Sequence, residues 1–147
     1  MGDFKKLDVW QRSQKLAGNI YRLTGDFPAV ERYGLTSQMR RAPVSISANL
    51  AEGYGRQGDI ELRRFVRISL GSLAELECEL LLAADLHYLN EQVCQAVGTE
   101  IRLIRRMLQR LHQLCPHSVP SLGYLSRRSH LDVSTSTSFL DSYNNAV

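Results

Sequence analysis

The chain has 147 residues, of which 44% are hydrophobic and 22% are charged, and its formal net charge is +3. This length and composition are typical of one globular domain and exclude the weakly hydrophobic, highly charged composition of a disordered chain. No stretch approaches the roughly 18 apolar residues of a membrane span, and the first residues lack the apolar core of a signal peptide. We therefore expect a cytoplasmic protein that does not cross a membrane.

Two amphipathic helices are predicted in the first part of the chain. Apolar residues spaced by three and four predict the first helix over residues 8–24 and the second over residues 35–54. Thr36 is the expected N-cap of the second helix, because its hydroxyl can accept a hydrogen bond from a free backbone N–H. In the connection between the two helices, Phe27 and Tyr33 are expected to fold back onto the end of the domain.

Two longer helices complete the predicted fold. The third is predicted over residues 59–89, and the fourth begins at the N-cap Asn90 and ends before Pro116. Short connections make each helix antiparallel to its neighbour, so residues 1–115 are predicted to form an all-α, antiparallel up-down four-helix bundle. From residue 116 to 147 the apolar pattern gives way to polar residues, which predicts a flexible C-terminal tail.

The three cysteines do not indicate a redox or metal site. Cys78, Cys94 and Cys115 lack C-x-x-C spacing, and each lies within or at the end of an apolar helical pattern, where free cysteine packs as a small hydrophobic side chain. We expect buried, reduced thiols. His112, Cys115 and His117 have the elements of a zinc site, but one isolated cluster at a helix end supplies too few ligands. The sequence therefore predicts neither a metal nor a cofactor.

The basic residues are concentrated at one end of the predicted bundle. Fifteen of the 18 basic residues are arginine, whose planar guanidinium suits phosphate and carboxylate, although a high-GC genome also enriches arginine. One end of the bundle is formed by the starts of helices 1 and 3 and the ends of helices 2 and 4. It holds nine basic residues and five acidic ones. The opposite end holds seven against eight. The basic end is predicted to attract a polyanion through counterion release, or, alternatively, only to maintain solubility.

The helix register separates paired arginines from candidate phosphate ligands. Four arginines of the other end are expected to pair with glutamates of helix 3, namely Arg40, Arg41, Arg102 and Arg105. No acidic row is expected to face Arg63, Arg64 and Arg67, which makes this group the better candidate for phosphate. The predicted nucleic-acid-binding surface comprises Lys5, Lys6, Arg12, Arg56, Arg63, Arg64 and Arg67.

Ser45, Asn49, Glu52 and Arg56 share one face of the second helix, at the border of the core. An enzyme could use Glu52 as a general acid or base, but it would also need a second group and a pocket, and no histidine belongs to this face. An enzyme would need a pocket that places His87 or His112 beside Glu52, and the register keeps His87 away from it. We interpret the face as a structural polar network or assembly surface in which Glu52 pairs with Arg56 or with a neighbouring helix, and we expect no catalytic residue.

Five motifs at consistent spacing resemble one known family. They are LDVW (7–10), FPAVERYG (27–34), LTSQMRR (35–41), NLAEG (49–53) and GSLAELE (71–77). Together they resemble the four-helix-bundle proteins encoded in intervening sequences of bacterial large-subunit ribosomal RNA genes, often labelled ribosomal-like. The related accessory variability determinant of diversity-generating retroelements is similar. The resemblance covers roughly residues 4–114.

The resemblance implies a non-enzymatic homopentamer with a basic surface that binds nucleic acid and, in the retroelement branch, a reverse transcriptase. Two functional hypotheses follow. The first is an oligomeric scaffold that binds RNA or DNA nonspecifically. The second is a protein-interaction adaptor, for example an accessory of a reverse transcriptase, whose basic charge is incidental. A reverse transcriptase gene or a ribosomal RNA gene beside this one would favour the first hypothesis or a combination of both.

Overall fold

The computed structural model describes residues 3–56 and 58–115. Over these residues it contains four α-helices and three short 3-10 turns without any strand, which confirms the predicted all-α fold class. The helices are α1 (Asp8–Leu23), α2 (Leu35–Gly55), α3 (Asp59–Asp85) and α4 (Glu91–Leu114), and the 3-10 turns are Phe4–Lys6, Thr24–Asp26 and Ala29–Tyr33. The predicted tail, residues 116–147, lies outside the described part of the chain.

Short connections and interhelix ion pairs establish the up-down order of the bundle. The pairs join Arg41 to Glu75 at 2.8 Å, Arg105 to Glu77 at 2.6 Å, and Arg12 to Glu100 at 3.0 Å. The first two pairs confirm the register predicted for α2 against α3 and for α3 against α4. The Arg105 guanidinium also lowers the pKa of the Glu77 carboxyl by hydrogen bonding to it.

All four helices contribute to one hydrophobic core. The largest fully buried side chains are Leu7, Leu16, Ile20, Met39, Ile46, Leu50, Leu73, Leu76, Ile101, Ile104, Leu108 and Leu111. Burying each side chain of this kind contributes about 1.5–3 kcal/mol to the hydrophobic driving force, which is why the apolar stripes of the four helices face inward.

The most extensive helix pair is α2 with α3. Small residues allow the two backbones to approach closely. A Cβ atom on Gly53 would lie 2.6 Å from the Cβ of Phe65, closer than real Cβ contacts allow. In the same interface the Ser69 hydroxyl donates to the Ile46 carbonyl at 3.1 Å, so this buried polar group is satisfied across the helix pair.

The predicted N-cap of α2 is wrong. The N-cap residue is Gly34, and the Glu31 carboxylate accepts the Leu35 N–H at 3.0 Å, so a side chain from the preceding 3-10 turn satisfies the helix start. The Thr36 side chain is 7% exposed, and its Oγ1 atom has no hydrogen-bond partner in the described part of the chain. Thr36 thus lies one residue inside the helix.

The end of α3 also differs from the prediction, because the helix stops at Asp85 rather than near residue 89. His87 has a φ of 58° and lies in the left-handed region, while the N–H groups of His87 and Tyr88 donate to the carbonyls of Ala84 and Ala83. This pair of bonds is a Schellman motif. The motif usually contains glycine at the left-handed position, where this chain has histidine, so it could not be predicted. The predicted Asn90 cap of α4 is confirmed, since its side chain accepts the Val93 N–H at 2.8 Å.

The connection between α1 and α2 matches the prediction only in part. Phe27 is buried and packs against Tyr88 with ring centroids 5.3 Å apart, whereas Tyr33 is 89% exposed. The predicted pairing of Arg40 with a glutamate of α3 is wrong. Its Nε atom instead donates to Thr24 Oγ1 at 2.7 Å, and its guanidinium lies 4.9 Å from the centroid of the Tyr21 ring. Arg40 therefore faces α1 and not α3.

Candidate nucleic-acid interface

Three arginines meet on the outer surface of α3 near its start. Arg63, Arg64 and Arg67 line a shallow cavity of about 510 Å³ together with Ile60 and Ile68. We call Arg63, Arg64 and Arg67 the arginine cluster. No acidic residue is among these lining residues, so the cavity combines positive charge with apolar walls.

Within the arginine cluster, Arg63 has a structural task that the sequence did not predict. One of its Nη atoms donates to the carbonyls of His112 at 2.6 Å and Cys115 at 3.0 Å, at the C-terminal end of α4. Those carbonyls lack intrahelical partners, and a cation there also complements the helix dipole. Because the acceptors are main-chain atoms, side-chain charge patterns could not reveal the contact. Arg63 thus ties the start of α3 to the end of α4.

Replacing Arg63 with methionine is expected to lower the free energy of unfolding by about 1.5–3 kcal/mol, because hydrogen bonds from a charged donor to α4 are lost while the apolar stem is kept. Urea denaturation followed by circular dichroism measures the change. The matched control is Arg67→Met, which removes an exposed arginine of the same helix and should change stability by less than about 0.5 kcal/mol. Equal stabilities for the two variants would show that the contact of Arg63 with the end of α4 does not stabilise the fold.

Arg56 and Arg64 converge on the same neighbours. Their guanidinium carbons lie 5.2 and 5.7 Å from the centroid of the Phe65 ring, and both approach Glu61, at 4.0 and 3.9 Å. Arg64 nevertheless keeps two-thirds of its side chain exposed. Arg67 is exposed and takes part in no hydrogen bond or ion pair with any described residue. Arg64 and Arg67 are therefore the two arginines whose guanidinium groups are most accessible to a ligand.

The other predicted nucleic-acid-binding residues do not line the cavity of the arginine cluster. Lys5 and Lys6 are exposed in the 3-10 turn that precedes α1. Arg12 pairs with Glu100 and lines a different cavity, a cleft of about 490 Å³ between α1 and α4 whose lining also includes Lys15. The structure therefore brings Arg56 next to the cluster but does not bring Arg12 there.

The polar face of α2 forms local contacts. The Asn49 side chain donates to the Ser45 carbonyl at 2.7 Å, and the Ser45 and Ser72 hydroxyls lie 2.9 Å apart across the α2–α3 interface. As its spacing predicts, Glu52 pairs with Arg56, at 2.6 Å. These contacts fit a structural network, while His87 lies at the opposite end of the bundle from Glu52.

Two groups carry strongly raised pKa values. Burial raises the pKa of the Cys115 thiol to about 11, so this thiol stays protonated, whereas Cys78 is exposed, contrary to the prediction. Burial and the charge of Glu75 raise the pKa of the Glu79 carboxyl to about 7. Glu79 lines neither of the two cavities described above. In residues 3–56 and 58–115, no three potential metal ligands lie close enough to hold an ion.

A family model for the 23S rRNA-intervening sequence protein matches residues 5–110. The chain belongs to this family. The match spans the described bundle from the 3-10 turn at its start to the last turns of α4, so the arginine cluster and the polar face of α2 both lie within the family region. This finding confirms the family predicted from the sequence motifs.

A solved structure supports the same fold. It is the crystal structure of a protein of unknown function from the S23 ribosomal protein family of Bacteroides thetaiotaomicron, with 20% sequence identity and a TM-score of 0.64. The alignment covers 71% of this chain and 98% of that one. A search of curated proteins gave no match. None of the described helices of this family member is long and apolar enough to cross a membrane.

Proposed function

We propose that this chain is a non-enzymatic, oligomeric scaffold that binds RNA or DNA without sequence preference through the arginine cluster. The observation that carries the proposal is the cavity in which Arg63, Arg64 and Arg67 meet beside apolar walls with no acidic lining residue. Guanidinium groups bind phosphate oxygens through paired N–H donors, and such contacts carry little sequence information. Arg56 extends the same surface, with Lys5 and Lys6 at the same end of the bundle.

The outer face of α3 supports assembly of several copies. Ile60, Ile68, Leu82 and Leu86 are 40–48% exposed, and at 100° per residue they fall within an arc of about 80°. Exposed apolar residues in one row favour an interface with another protein surface. Arg64 lies within the same arc, near the start of α3. Self-association through Leu82 and Leu86, at the other end of the helix, would therefore leave Arg64 accessible to nucleic acid. A homopentamer would then present several arginine clusters together.

The proposed binding is tested by titrating the full chain against an RNA hairpin and a duplex DNA at several salt concentrations, with light scattering to determine the assembly. Two to four phosphate contacts per copy predict an affinity that falls roughly 10- to 150-fold between about 50 and 200 mM salt, and similarly for both nucleic acids. Undetectable binding at low salt would refute the proposal. If light scattering shows a monomer, only the oligomeric part of the proposal is refuted.

A second candidate function, a protein-interaction adaptor, is favoured by the cleft between α1 and α4. Its floor is apolar, with Leu16, Val93 and Val97, and its rim carries Lys15 and Arg22. A basic rim over an apolar floor suits an acidic amphipathic segment of a partner such as a reverse transcriptase. A partner gene beside this one, together with a complex that still forms after Arg64 and Arg67 are reversed to glutamate, would favour this function over nucleic-acid binding.

A further inference from the structure

A second basic surface lies at the opposite end of the bundle from the arginine cluster. It is a cavity of about 530 Å³ where α1, the start of α2 and the preceding 3-10 turn meet. We call it the tyrosine–arginine groove, after five of its lining residues, Tyr21, Tyr33, Arg32, Arg40 and Arg41. None of the residues that line the groove is acidic.

Two of the three arginines keep their charge uncompensated. Arg40 is held in place by neutral groups, the Thr24 hydroxyl and the face of the Tyr21 ring, so its position is fixed but its charge is not neutralised. Arg32 is exposed and has no hydrogen bond or ion pair within residues 3–56 and 58–115. Arg41 pairs with Glu75 on α3. The groove therefore carries a net positive charge with one preoriented guanidinium.

The buried side chain of Thr36 is an independent sign of a ligand. This residue lines the groove and is 7% exposed, and its Oγ1 atom has no hydrogen-bond partner among the described residues. A buried hydroxyl without a partner is costly, and most such groups in proteins are satisfied. The amide N–H groups of Thr36 and Ser37 belong to the first turn of α2, where no intrahelical carbonyl accepts them. Glu31, which accepts the Leu35 N–H, does not line the groove.

The exposed tyrosine adds a flat apolar surface to these donors. Tyr33 is 89% exposed at the edge of the groove, in a 3-10 turn whose position is set by buried Phe27 on one side and by the start of α2 on the other. Aromatic side chains of this kind stack on nucleic-acid bases. The volume of the groove falls within the range of about 300–1,000 Å³ that is usual for small-molecule sites.

We propose that the tyrosine–arginine groove binds a nucleoside 5′-monophosphate group. Arg32 and Arg40 bind the phosphate, and the base stacks on Tyr33. The Thr36 hydroxyl, which is buried beneath the groove surface, turns about χ1 to donate to a phosphate oxygen. The ligand is either a free mononucleotide or the phosphorylated 5′ end of a single strand, which share this chemistry. The site does not rest on the proposed function, since it shares no residue with the arginine cluster and lies at the other end of the bundle.

The test is isothermal titration of the full chain with adenosine 5′-monophosphate, adenosine and inorganic phosphate. The mononucleotide should bind at least about tenfold more tightly than either part, because charge-assisted hydrogen bonds and stacking act together. Thr36→Val and Arg32→Gln should each weaken mononucleotide binding about tenfold. The matched control, Arg106→Gln on the exposed surface of α4, should leave it unchanged. A short oligonucleotide with and without a 5′ phosphate then distinguishes a strand end from a free nucleotide.

Two results would overturn this assignment. One is the absence of saturable mononucleotide binding at millimolar concentration. The other is mononucleotide binding that Thr36→Val and Arg32→Gln do not weaken. Weaker binding by Thr36→Val would not be due to unfolding, because this substitution removes an unsatisfied buried hydroxyl and should not destabilise the chain. Failure here is distinguishable from failure of the proposed function, since reversing Arg64 and Arg67 should leave mononucleotide binding intact.

Discussion

Reversing the charge of both Arg64 and Arg67 to glutamate is expected to lower the affinity for an RNA hairpin at least about tenfold at low salt. It should also reduce the slope of log affinity against log salt by about 2, because each lost phosphate contact removes about one unit. The two side chains are the most exposed members of the arginine cluster. Arg63 is left unchanged, because it holds the end of α4 and its replacement would change stability as well as binding.

The matched control reverses Arg102 and Arg106 on α4. Both residues are exposed and their reversal changes the net charge by the same amount, so any difference between the double variants reports on position rather than on total charge. Fluorescence anisotropy measures binding, and circular dichroism confirms that both variants are folded. If the two double variants lose affinity equally, or if neither does, the arginine cluster is not the nucleic-acid-binding surface.

Replacing Gly53 with alanine is expected to lower the free energy of unfolding by about 1–3 kcal/mol. The added Cβ would lie 2.6 Å from the Phe65 Cβ and 3.4 Å from the Leu62 Cα. Neither neighbour is the flexible end of a side chain, so the α2 and α3 backbones must separate. The loss of close packing outweighs the gain of up to about 1 kcal/mol that alanine brings to a helix interior.

Gly71→Ala is the control for that measurement. Gly71 also lies inside a helix, but a Cβ atom there meets nothing within 4 Å, so only the intrinsic helix preference acts and stability should rise by about 0.5–1 kcal/mol. Urea denaturation of both variants gives the comparison. A Gly53→Ala variant as stable as the Gly71→Ala variant would show that α2 and α3 do not require glycine for their approach.

Several details of the bundle could be predicted because their causes are local in sequence. The Asn90 cap lies directly before an apolar helical pattern, and the Glu52–Arg56 pair follows from a spacing of four residues. Arg41 meets Glu75 because a short turn fixes the antiparallel register of α2 and α3. In each case the partner is a side chain, or a backbone group within one helical turn.

Other details could not be predicted because the deciding partner is distant or belongs to the main chain. Glu31 takes the capping role that was expected of Thr36, and this depends on the 3-10 turn that carries Glu31 back toward Leu35. Arg40 faces Tyr21 and Thr24 because α1 packs beside α2 there. His87 ends α3 in a conformation that glycine usually supplies.

The sequence by itself determined that this protein is a four-helix bundle of the 23S rRNA-intervening sequence family, with its basic residues weighted toward one end. Apolar periodicity and short connections suffice for the bundle, since they fix which face of each helix is buried and which helices are neighbours, whereas the family follows from the resemblance of the five motifs. Only the tertiary structure decided what each basic residue does. In that structure Arg63 donates to a carbonyl of α4, Arg12 pairs with Glu100, and Arg67 is exposed to solvent. The reason is that the partners of a surface cation depend on how helices distant in sequence pack together.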